Sequence, residues 1–523
     1  MMVTHLPAWL ALLGPAALAA ASASPSGSLG RFRAAGALAL ATALAAAVAV
    51  ACLGPIQSGT LGMAGIGLSV YLDPLSVTMD ALVAFIGLIV IAFSITYLEG
   101  DAGRLRFMRL LAATVASVLV IVLSGNVAVL VLSWIAMSLA LDGLLRFYAE
   151  RPFAVLAARK RFVIARIGEA FLLVAALLIY AQLHTLDYSA IFAAVRDGAL
   201  SPSFHVVALC IVVAAMLQSA QFPLHGWLTE VMEAPTPVSA LLHAGIVNAG
   251  GFLVLRFATL EMHAFAALEV LAIVGACTAL FGSVVMLTQT SIKVALAYST
   301  IAQMGFMMLE CGLGAFPAAL LHIVAHSFYK AHAFLSSGSV IDITRTAWTP
   351  GPAGAPNRAR RLVVASGVGA VLASLAFVFR VSPFAQPGLF ALGIVASLGV
   401  ITLIASGLDE RPNPYVLATT LGWSALVALA YVALQVGSQR IFAGSLPHDA
   451  LLHGPLAAWI AVGVVACFAV VTYVQSLLPG NGGTLRWRRA YVWIANGLYV
   501  NTLANRLLLR AWPDAGRTLT EER

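Results

Sequence analysis

Residues 111–135 read LAATVASVLVIVLSGNVAVLVLSWI, and no Asp, Glu, Lys or Arg occurs among them. Apolar residues fill the stretch on both sides of one Ser-Gly-Asn turn at 124–126. Each apolar run is about 20 residues long when followed outward, which is enough to cross roughly 30 Å of hydrocarbon. The polar–apolar alternation of a membrane barrel is absent, and helices satisfy their own backbone amides without water. The stretch therefore predicts two consecutive transmembrane helices.

The same pattern recurs from end to end of the 523-residue chain, which is 61% hydrophobic and only 10% charged, with a mean hydropathy of +0.97. A soluble domain has roughly a quarter of its residues charged, so lipid must be the main solvent here. We predict an all-α polytopic membrane protein with about 13 to 15 transmembrane helices. The predicted spans are 7–23, 33–53, 72–99, 105–124, 126–148, 159–182, 204–231, 235–258, 262–288, 290–312, 315–341, 361–379, 386–407, 412–436 and 452–476.

Basic residues cluster between these spans and predict the orientation of the chain. With the spans above, the clusters fall on one side, which the positive-inside rule makes cytoplasmic. The N-terminus is then predicted outside and the C-terminus inside, in a bacterial inner membrane. The asymmetry also explains the net charge of +8 without a nucleic-acid partner. The clusters are Arg31 and Arg33; Arg104 and Arg106; Arg151, Arg159, Lys160 and Arg161; Arg358, Arg360 and Arg361; Arg411; and Arg486, Arg488 and Arg489.

Two other sequence features concern processing and redox chemistry. Residues 1–24 resemble a secretory signal, but no basic residue precedes the apolar run, which favours a retained helix. The five cysteines are scattered through predicted helices without a CxxC pair. Such cysteines are typical of small apolar core residues, and they indicate neither a disulfide framework nor a metal site.

The spans and the polar interruptions between them predict five regions. These are N-terminal transmembrane helices at 1–104, a core at 105–341, a cytoplasmic linker at 342–361, C-terminal transmembrane helices at 362–479, and a cytoplasmic tail at 480–523. In the tail, apolar and basic residues alternate with helical spacing. That pattern predicts an amphipathic helix that lies on the membrane surface or in a groove of a partner.

Span eleven carries His322, His326 and Lys330 at positions i, i+4 and i+8, which places them on one stripe of a helix. Ionisable groups at membrane depth are costly and are functional candidates by default. Histidines exchange protons near neutral pH, so the stripe favours a proton or ion path. A zinc site is the alternative because i, i+4 histidines bind zinc, but a lysine shares the stripe and no carboxylate or cysteine follows it. A hydrogen-bonded core pair also remains open.

Polar residues and a proline interrupt spans seven and eight. Pro223 lies within an otherwise helical stretch and frees a backbone carbonyl one turn earlier. A broken helix is tolerated at membrane depth where protein buries it or where it lines a polar cavity, and transporters build ion sites there. A simple kink is the alternative, but the surrounding side chains favour a cavity: Gln218, Gln221, His225, Glu230, Glu233, His243 and Asn248.

The remaining intramembrane charges keep two interpretations open. Lys293 opens span ten and either extends to water at the membrane surface or belongs to the path. Asp142 with Arg146 is an i, i+4 pair, and Glu169 with Arg166 is an i, i+3 pair. In each pair, the two charges either neutralise each other within one helix, or the carboxylate is an acidic partner of the path.

Several of these segments together resemble the proton-translocating subunits of respiratory complex I and of Mrp-type cation/proton antiporters. They are residues 72–76 (LDPLS), 221–243 (QFPLHGWLTEVMEAPTPVSALLH), 291–305 (SIKVALAYSTIAQMG) and 322–330 (HIVAHSFYK). The resemblance covers about residues 70–345. It implies two inverted five-helix repeats, each with a broken helix, and a polar axis across the membrane. It also implies that Lys293 lies on that axis.

Departures from the family pattern argue against an ordinary complex I subunit. The family's conducting subunits carry a glutamate directly after the tryptophan of span five, where this chain has Trp134 followed by Ile135. Asp142 lies seven residues further along the same face and is a candidate replacement. The family's broken-helix lysine corresponds to Gln218, and Arg380 is the basic residue nearest to the second broken helix.

A subfamily of these proteins fits better. Residues 138–142 (SLALD), 231–237 (VMEAPTP), 244–252 (AGIVNAGGF) and 496–506 (NGLYVNTLANR) resemble the DabB family, the membrane subunits of two-protein inorganic carbon accumulation systems. The resemblance implies an ion-conducting subunit that couples a proton or sodium gradient to CO2 hydration by a large soluble zinc subunit resembling β-carbonic anhydrases. Zinc is then expected in the partner, and neither a cofactor nor a catalytic centre is expected in this chain.

The resemblance gives the polar residues provisional roles. His243, Lys293, His322, His326 and Lys330 would form the path, with Asp142 and Glu169 as acidic partners and Gln218 at the helix break. Glu230 and Glu233 would accept ions at the cytoplasmic mouth, and the tail would help to dock the partner. A cation/proton antiporter subunit and a passive membrane anchor are the alternatives.

Overall fold

A computed structural model describes residues 6–25, 28–198, 201–338, 393–395, 397, 414–447, 455–481 and 485–512. Among the described residues, nine helices or broken helices are long and apolar enough to cross a membrane. They are Leu6–Ala23, Gly30–Leu53, Pro74–Tyr97, Arg104–Leu123, Val127–Leu145, Pro152–Leu183, Thr236–Arg256, Phe265–Met286 and Ile292–Gly312. The predicted linker 342–361, span 361–379, most of span 386–407, Arg380 and residues 513–523 lie outside the described residues. The prediction of a polytopic helical membrane protein is confirmed.

The first predicted span consists of two helices, α1 (Leu6–Ala11) and α2 (Leu13–Ala23). Pro15 has no N–H to donate to the carbonyl of Ala11, and α1 ends at Ala11 for that reason. The second helix packs against α3 (Gly30–Leu53), where a Cβ added to Gly14 would lie 2.6 Å from the Ala39 Cα.

Four short strands follow α3 and form two antiparallel hairpins. Strand β1 (Ile56–Gln57) pairs with β4 (Tyr71–Leu72), and β2 (Leu61–Met63) pairs with β3 (Ile66–Leu68). The Gly65 carbonyl accepts from the backbone N–H of Leu186, and an isolated bridge joins Asn126 to Asp187. These contacts bring residues 54–73, 124–126 and 184–188 together at one end of the bundle, which we call the hairpin face.

Helix α4 (Pro74–Tyr97) begins with a reciprocal cap. The Ser76 N–H donates to Asp73 Oδ1 and the Asp73 N–H donates to Ser76 Oγ, each at 2.8 Å, while Pro74 occupies the first turn. The next helices are α5 (Arg104–Leu123), α6 (Val127–Leu145), α7 (Pro152–Leu183) and the short α8 (Tyr188–Arg196). Successive spans alternate in direction, so loops 98–103, 146–151 and 287–291 lie at the opposite end, which we call the tail face.

Spans seven and eight are both broken, as Pro223 predicts for span seven. Helix α9 (Ser203–Gln218) stops before an irregular segment, α10 (Gly226–Glu230) and a 3-10 turn (Val231–Glu233). Span eight consists of α11 (Thr236–Ala244), a 3-10 turn (Ile246–Asn248) and α12 (Ala249–Arg256). The two breaks satisfy each other, because Gln218 Nε2 donates to the Ile246 carbonyl at 3.1 Å and Ser219 Oγ donates to the Val247 carbonyl at 2.8 Å. Irregular backbone is thus hydrogen-bonded inside protein, as membrane depth demands.

The last helices of the core are α13 (Ala258–Glu261), α14 (Phe265–Met286), α15 (Ile292–Gly312) and α16 (Phe316–Leu335). Glycines let α14 and α15 approach closely: a Cβ on Gly305 would lie 2.3 Å from the Ala279 backbone nitrogen, and one on Gly275 would lie 2.5 Å from that of Leu309. Small residues at helix interfaces are a common device of membrane proteins.

Beyond the core lie α17 (Pro414–Ile441), α18 (Pro455–Asn481), α19 (Leu485–Ala495), a 3-10 turn (Gly497–Tyr499) and α20 (Val500–Ala511). Helices α19 and α20 lie on the tail face, where Gln289 Nε2 donates to the Ala495 carbonyl at 3.0 Å and Tyr491 Oη donates to the Thr288 carbonyl at 3.2 Å.

Candidate ion pathway

The stripe on α16 is buried within the bundle. His326 is 5% exposed and Lys330 is 0% exposed, while the His322 side chain keeps 15% of its surface exposed. The rings of His322 and His326 lie 6.4 Å apart, centroid to centroid. We call His322, His326 and Lys330 the α16 row. The predicted stripe thus lies inside the helical bundle, where a buried ionisable group is retained at a considerable cost in free energy.

Neighbouring helices add a third histidine and a backbone hydrogen-bond partner to the row. The His243 ring on α11 is 0% exposed and stacks on Phe334 of α16, with centroids 4.4 Å apart. Lys330 Nζ donates to the Leu296 carbonyl of α15 at 3.2 Å. Among the described residues, neither nitrogen of His243 or His326 has a hydrogen-bond partner. Buried polar groups are normally paired with other protein groups or with ordered water.

Lys293 lies at the first turn of α15 and is half-buried. Its Nζ donates to Thr236 Oγ1 at 3.2 Å, and the same hydroxyl oxygen lies 3.4 Å from Tyr97 Oη. The Leu296 carbonyl that binds Lys330 is one turn along the same helix. Lys293 therefore contacts α11 beside the lysine end of the row.

The row also has a carboxylate that the sequence reasoning missed. Glu310 of α15 approaches the row from the neighbouring helix, with its Oε2 3.0 Å from His322 Nδ1. No cluster of three or more His, Cys, Asp or Glu among the described residues could hold a metal ion. Glu310 lies inside predicted span ten, so the intramembrane-charge criterion alone would have selected it. Asp80, which is 2% exposed on α4, meets the same criterion and was missed too.

A second polar cluster joins α6 and α7, and it corrects the sequence-based pairing of Asp142. Arg161 Nη1 lies 3.0 Å from Asp142 Oδ1 and from Ser138 Oγ, whereas Arg146 only donates from Nε to the Asp142 backbone carbonyl at 3.3 Å. The reason is packing: α7 brings Arg161 into the interface, while Arg146 is exposed at the end of α6. The Arg166–Glu169 pair is present as predicted, with Nη2 and Oε1 2.6 Å apart.

Gln218 lies between this cluster and the broken helices. It lines a cavity of about 10 Å³ together with Arg161 and the Trp134 and Trp227 side chains. A volume of this size is about that of one water molecule. The cavity therefore places a small space, with Arg161 and Gln218 among mostly apolar lining residues, between the Asp142–Arg161 pair and the break at the end of α9.

Glu230 is held by groups of the chain itself. Its carboxylate accepts hydrogen bonds from Lys160 Nζ at 2.7 Å, from Asn501 Nδ2 at 2.7 Å and from Asn505 Nδ2 at 2.6 Å. Lys160 Nζ also donates to Asn501 Oδ1 at 2.6 Å. We call these four residues the tail clamp. An ion that binds Glu230 must therefore compete with the Lys160–Glu230 ion pair. The side chain of Glu233, the other predicted ion acceptor, lies outside the described part of the structure.

Two buried acidic positions lie toward the hairpin face. Asp73 pairs with Arg256, whose Nη1 and Nη2 each lie 3.1 Å from one of its carboxylate oxygens. Burial alone would raise the pKa of the Asp73 carboxyl, but Arg256 lowers it below its ordinary value. Glu261, at the end of α13, is 0% exposed, and neither of its oxygens has a partner among the described residues. Burial raises the pKa of the Glu261 carboxyl well above its ordinary value.

Comparison with family models places the chain in a known group. Residues 124–404 match the family described as NADH:quinone oxidoreductase/Mrp antiporter, TM, and residues 60–108 match NADH-ubiquinone oxidoreductase (complex I), chain 5 N-terminus. Among solved structures, the Mrp complex from Dietzia sp. DQ12-45-1b is similar with a TM-score of 0.65 and 26% identity. That similarity covers 99% of this chain and 60% of the other.

Relatives narrow the group further. A protein of Halothiobacillus neapolitanus named probable inorganic carbon transporter subunit DabB2 is 39% identical over 474 residues, which cover 87% of this chain and 82% of the relative. A protein of Hydrogenovibrio crunogenus named probable inorganic carbon transporter subunit DabB is 45% identical over 278 residues, which cover 53% of this chain and 54% of the relative. The chain is therefore a multi-pass membrane protein of the NADH:quinone oxidoreductase/Mrp antiporter family, and within it a member of the DabB group of inorganic carbon transporter subunits.

Proposed function

We propose that this chain is the ion-conducting membrane subunit of an inorganic carbon transporter. It couples the downhill movement of protons or sodium ions to CO2 hydration and bicarbonate accumulation by a soluble partner. The buried α16 row is the observation that carries the proposal, because three ionisable side chains on one stripe at membrane depth are costly unless they serve transport. Membership of the antiporter family adds an independent reason to assign conduction to this row.

Conduction along the row follows from its chemistry. An imidazole accepts a proton on one nitrogen and releases it from the other, and it does so near neutral pH. His243 and His326 offer unpaired nitrogens among the described residues, and the Lys330 ammonium lies one turn beyond His326. Lys293 continues the row toward the tail face through Thr236. These contacts support a path from the His322 end to the Lys293 end.

The pairing of the two acidic residues, Asp142 and Glu169, supports a coupling subunit that depends on a partner over an independent antiporter. Asp142 is bound by Arg161, and Gln218 occupies the position of the family's broken-helix lysine. A fixed arginine–carboxylate pair does not gain and lose charge as an acid–lysine pair does, because arginine stays protonated. Glu169 is likewise paired with Arg166. We infer that the driving step of the cycle depends on a second protein.

That second protein is proposed to be a large soluble zinc subunit on the cytoplasmic side, resembling β-carbonic anhydrases and corresponding to DabA. The relatives named DabB support this choice because that name denotes one subunit of a transporter. Zinc belongs to the partner in this proposal, where it would activate water for attack on CO2. The basic residues Arg104, Arg106, Arg151 and Arg159 lie near the tail face, which supports a cytoplasmic tail face by the positive-inside rule.

The experiment begins with purification of the tagged full-length chain from its native host and identification of the proteins that accompany it. A large soluble zinc protein is the expected companion, and peripheral complex I subunits would overturn the proposal. Inorganic carbon uptake is then compared in cells that carry wild type, His326→Ala or Lys293→Met, with exposed His263→Ala as the control. Both path variants should abolish uptake while leaving the companion bound. Unchanged uptake in both would indicate a passive anchor.

The antiporter alternative has its own outcome in the same material. Vesicles that contain only the purified chain should show no cation-dependent proton flux if the chain depends on a partner. Flux in such vesicles would favour the cation/proton antiporter, for which the likeness to the Mrp complex is the supporting observation.

A further inference from the structure

The end of the α16 row at the hairpin face carries a histidine–carboxylate contact that links two helices. Helix α15 ends at Gly312 and α16 begins at Phe316, so Glu310 and His322 face each other across a tight helical hairpin. His322 Nδ1 and Glu310 Oε2 are 3.0 Å apart. These helices run antiparallel, so the pair lies nearer to the hairpin face than His326 and Lys330 do.

Exposure decreases along the row away from this pair. The side chains of Glu310 and His322 are 13% and 15% exposed, whereas residue His326 is 5% exposed and residue Lys330 is 0% exposed. A path that crosses the bundle must exchange its ion with solution at each of its two ends. Within the α16 row, the gradient marks the Glu310–His322 pair at the hairpin face as more accessible than His326 and Lys330.

We propose that Glu310 and His322 form the proton-exchange terminal of the row at the hairpin face, so that the coupling ion is the proton. This inference rests on the proposed function, which leaves open whether protons or sodium ions are conducted. A proton that binds His322 Nε2 allows the proton on Nδ1 to pass to Glu310 Oε2, and Glu310 then releases it to the hairpin-face solution. Exchange between the two imidazole tautomers returns the ring to its starting state, and the reverse order carries protons inward.

The chemistry of the row favours protons over sodium ions. Sodium, like other hard cations, requires several oxygen ligands, whereas the row offers imidazole nitrogens and a lysine ammonium that donates but cannot accept hydrogen bonds. Glu310 supplies the one carboxylate that contacts the row among the described residues. A carboxylate hydrogen-bonded to an imidazole is instead well suited to pass a proton along the hydrogen bond.

A second carboxyl group supports the assignment independently. Glu261 on α13 is fully buried without a hydrogen-bond partner among the described residues. Burial raises the pKa of the Glu261 carboxyl well above its ordinary value, which favours its protonated form. Glu261 is therefore placed as a proton-holding group on the same side of the row as Glu310.

The test uses the full chain with its soluble partner, in cells for carbon uptake and in vesicles for proton flux. Glu310→Gln keeps the shape of the side chain but cannot carry a proton between His322 and solution. We expect it to lower coupled uptake by about a hundredfold, the lower range for loss of a positioned proton-transfer group. Glu310→Asp should restore much of the activity and shift the pH profile of uptake. Glu261→Gln should also lower uptake.

Asp197→Asn is the matched control, because Asp197 is an exposed acid near the hairpin face. Thermal unfolding and partner co-purification establish that each variant is folded and assembled. Wild-type uptake in a folded Glu310→Gln variant, while His326→Ala abolishes uptake, would overturn the terminal but leave the conducting function intact. Uptake that a sodium gradient still drives after the proton gradient is collapsed would also overturn the proton-exchange terminal and leave the conducting function intact. Normal uptake in both Glu310→Gln and His326→Ala would overturn the conducting function itself.

Discussion

Arg161 and Asp142 face each other across the interface of α6 and α7, with Nη1 and Oδ1 3.0 Å apart and both side chains 2% exposed. Ser138 Oγ accepts a hydrogen bond from Arg161 and another from Arg166, so the cluster ties α6 to two positions of α7. Loss of one member of a buried pair leaves the other charge uncompensated. Such a loss costs about 3–5 kcal/mol.

Asp142→Asn should therefore destabilise the chain by about that amount, measured by thermal or denaturant unfolding in detergent. The double variant Asp142→Asn with Arg161→Met should recover part of the loss, because no isolated charge then remains buried. Arg146→Met is the control, since Arg146 is exposed and its side chain hydrogen-bonds, among the described residues, to the Asp142 backbone carbonyl and not to its carboxylate. An equal loss in Arg146→Met would contradict the assignment of Arg161 as the partner.

The sequence identified Asp142 as important but assigned the wrong partner, and the reason is physical. Helical spacing predicts which residues share a face of one helix, so it found the Arg166–Glu169 pair and the α16 row correctly. It does not show which faces of two helices meet. Arg161 reaches Asp142, and Glu310 reaches His322, only because α7 and α15 pack at particular rotations against their neighbours.

The Asp73–Arg256 pair yields a second prediction. Asp73 caps α4 and binds Arg256 with both carboxylate oxygens, and both side chains are 2% exposed. Asp73→Asn should cost about 3–5 kcal/mol of unfolding free energy, because the Arg256 charge stays buried. Asp187→Asn, at the same face, is a less suitable control than exposed Asp197→Asn, since Gln57 and Thr60 both donate to Asp187.

The pH dependence of this contribution has a definite sign. The pKa of Asp73 is lower in the folded chain than its ordinary value, so the stabilisation is present above that value. It is lost as the pH falls through the lowered pKa. Wild type and Asp73→Asn should therefore differ in stability at neutral pH and converge in strong acid. A constant difference between the two across this range would contradict the pairing.

Close packing of α14 on α15 yields a third prediction. A Cβ on Gly305 would lie 2.3 Å from the Ala279 backbone nitrogen, and the clash involves backbone that has little freedom to move. Gly305→Ala should separate the two helices and cost about 1–3 kcal/mol or more. Gly463→Ala is the control, because a Cβ there would meet nothing within 4 Å. Equal melting temperatures for the two variants would show that α14 and α15 are not in this contact.

Hydropathy predicted the spans well because lipid imposes a length and an apolar surface on each one. Span 105–124, for example, corresponds to Arg104–Leu123 in the structure. Hydropathy gave no information about where α20 would lie. Its position depends on Asn501 and Asn505, two uncharged residues that bind Glu230 from about 270 positions away in sequence. The sequence correctly predicted an amphipathic helix in the tail. In the structure, one side of α20 is already bound to the tail face of the same chain.

The tail clamp yields a fourth prediction. Glu230→Gln removes the charge that holds Lys160 and both tail amides, so α20 should separate more readily from α7 and α10. Limited proteolysis or hydrogen exchange within residues 485–512 should then be faster than in wild type. Asn496→Ala is the control, because the Asn496 amide donates only to the Val492 carbonyl within its own segment. Unchanged protection of the tail in Glu230→Gln would show that the clamp does not hold it.

The face of α20 that the clamp leaves free is the remaining place for the tail to serve a partner. Leu503 and Leu507 lie one turn apart and are 61% and 57% exposed. If the soluble subunit docks there, Leu503→Ser with Leu507→Ser should abolish co-purification without changing the melting temperature, because neither side chain belongs to the clamp. Leu61→Ser is the matched control at the hairpin face, where Leu61 is 64% exposed. Retention of the soluble subunit by the double variant would exclude this face as the dock.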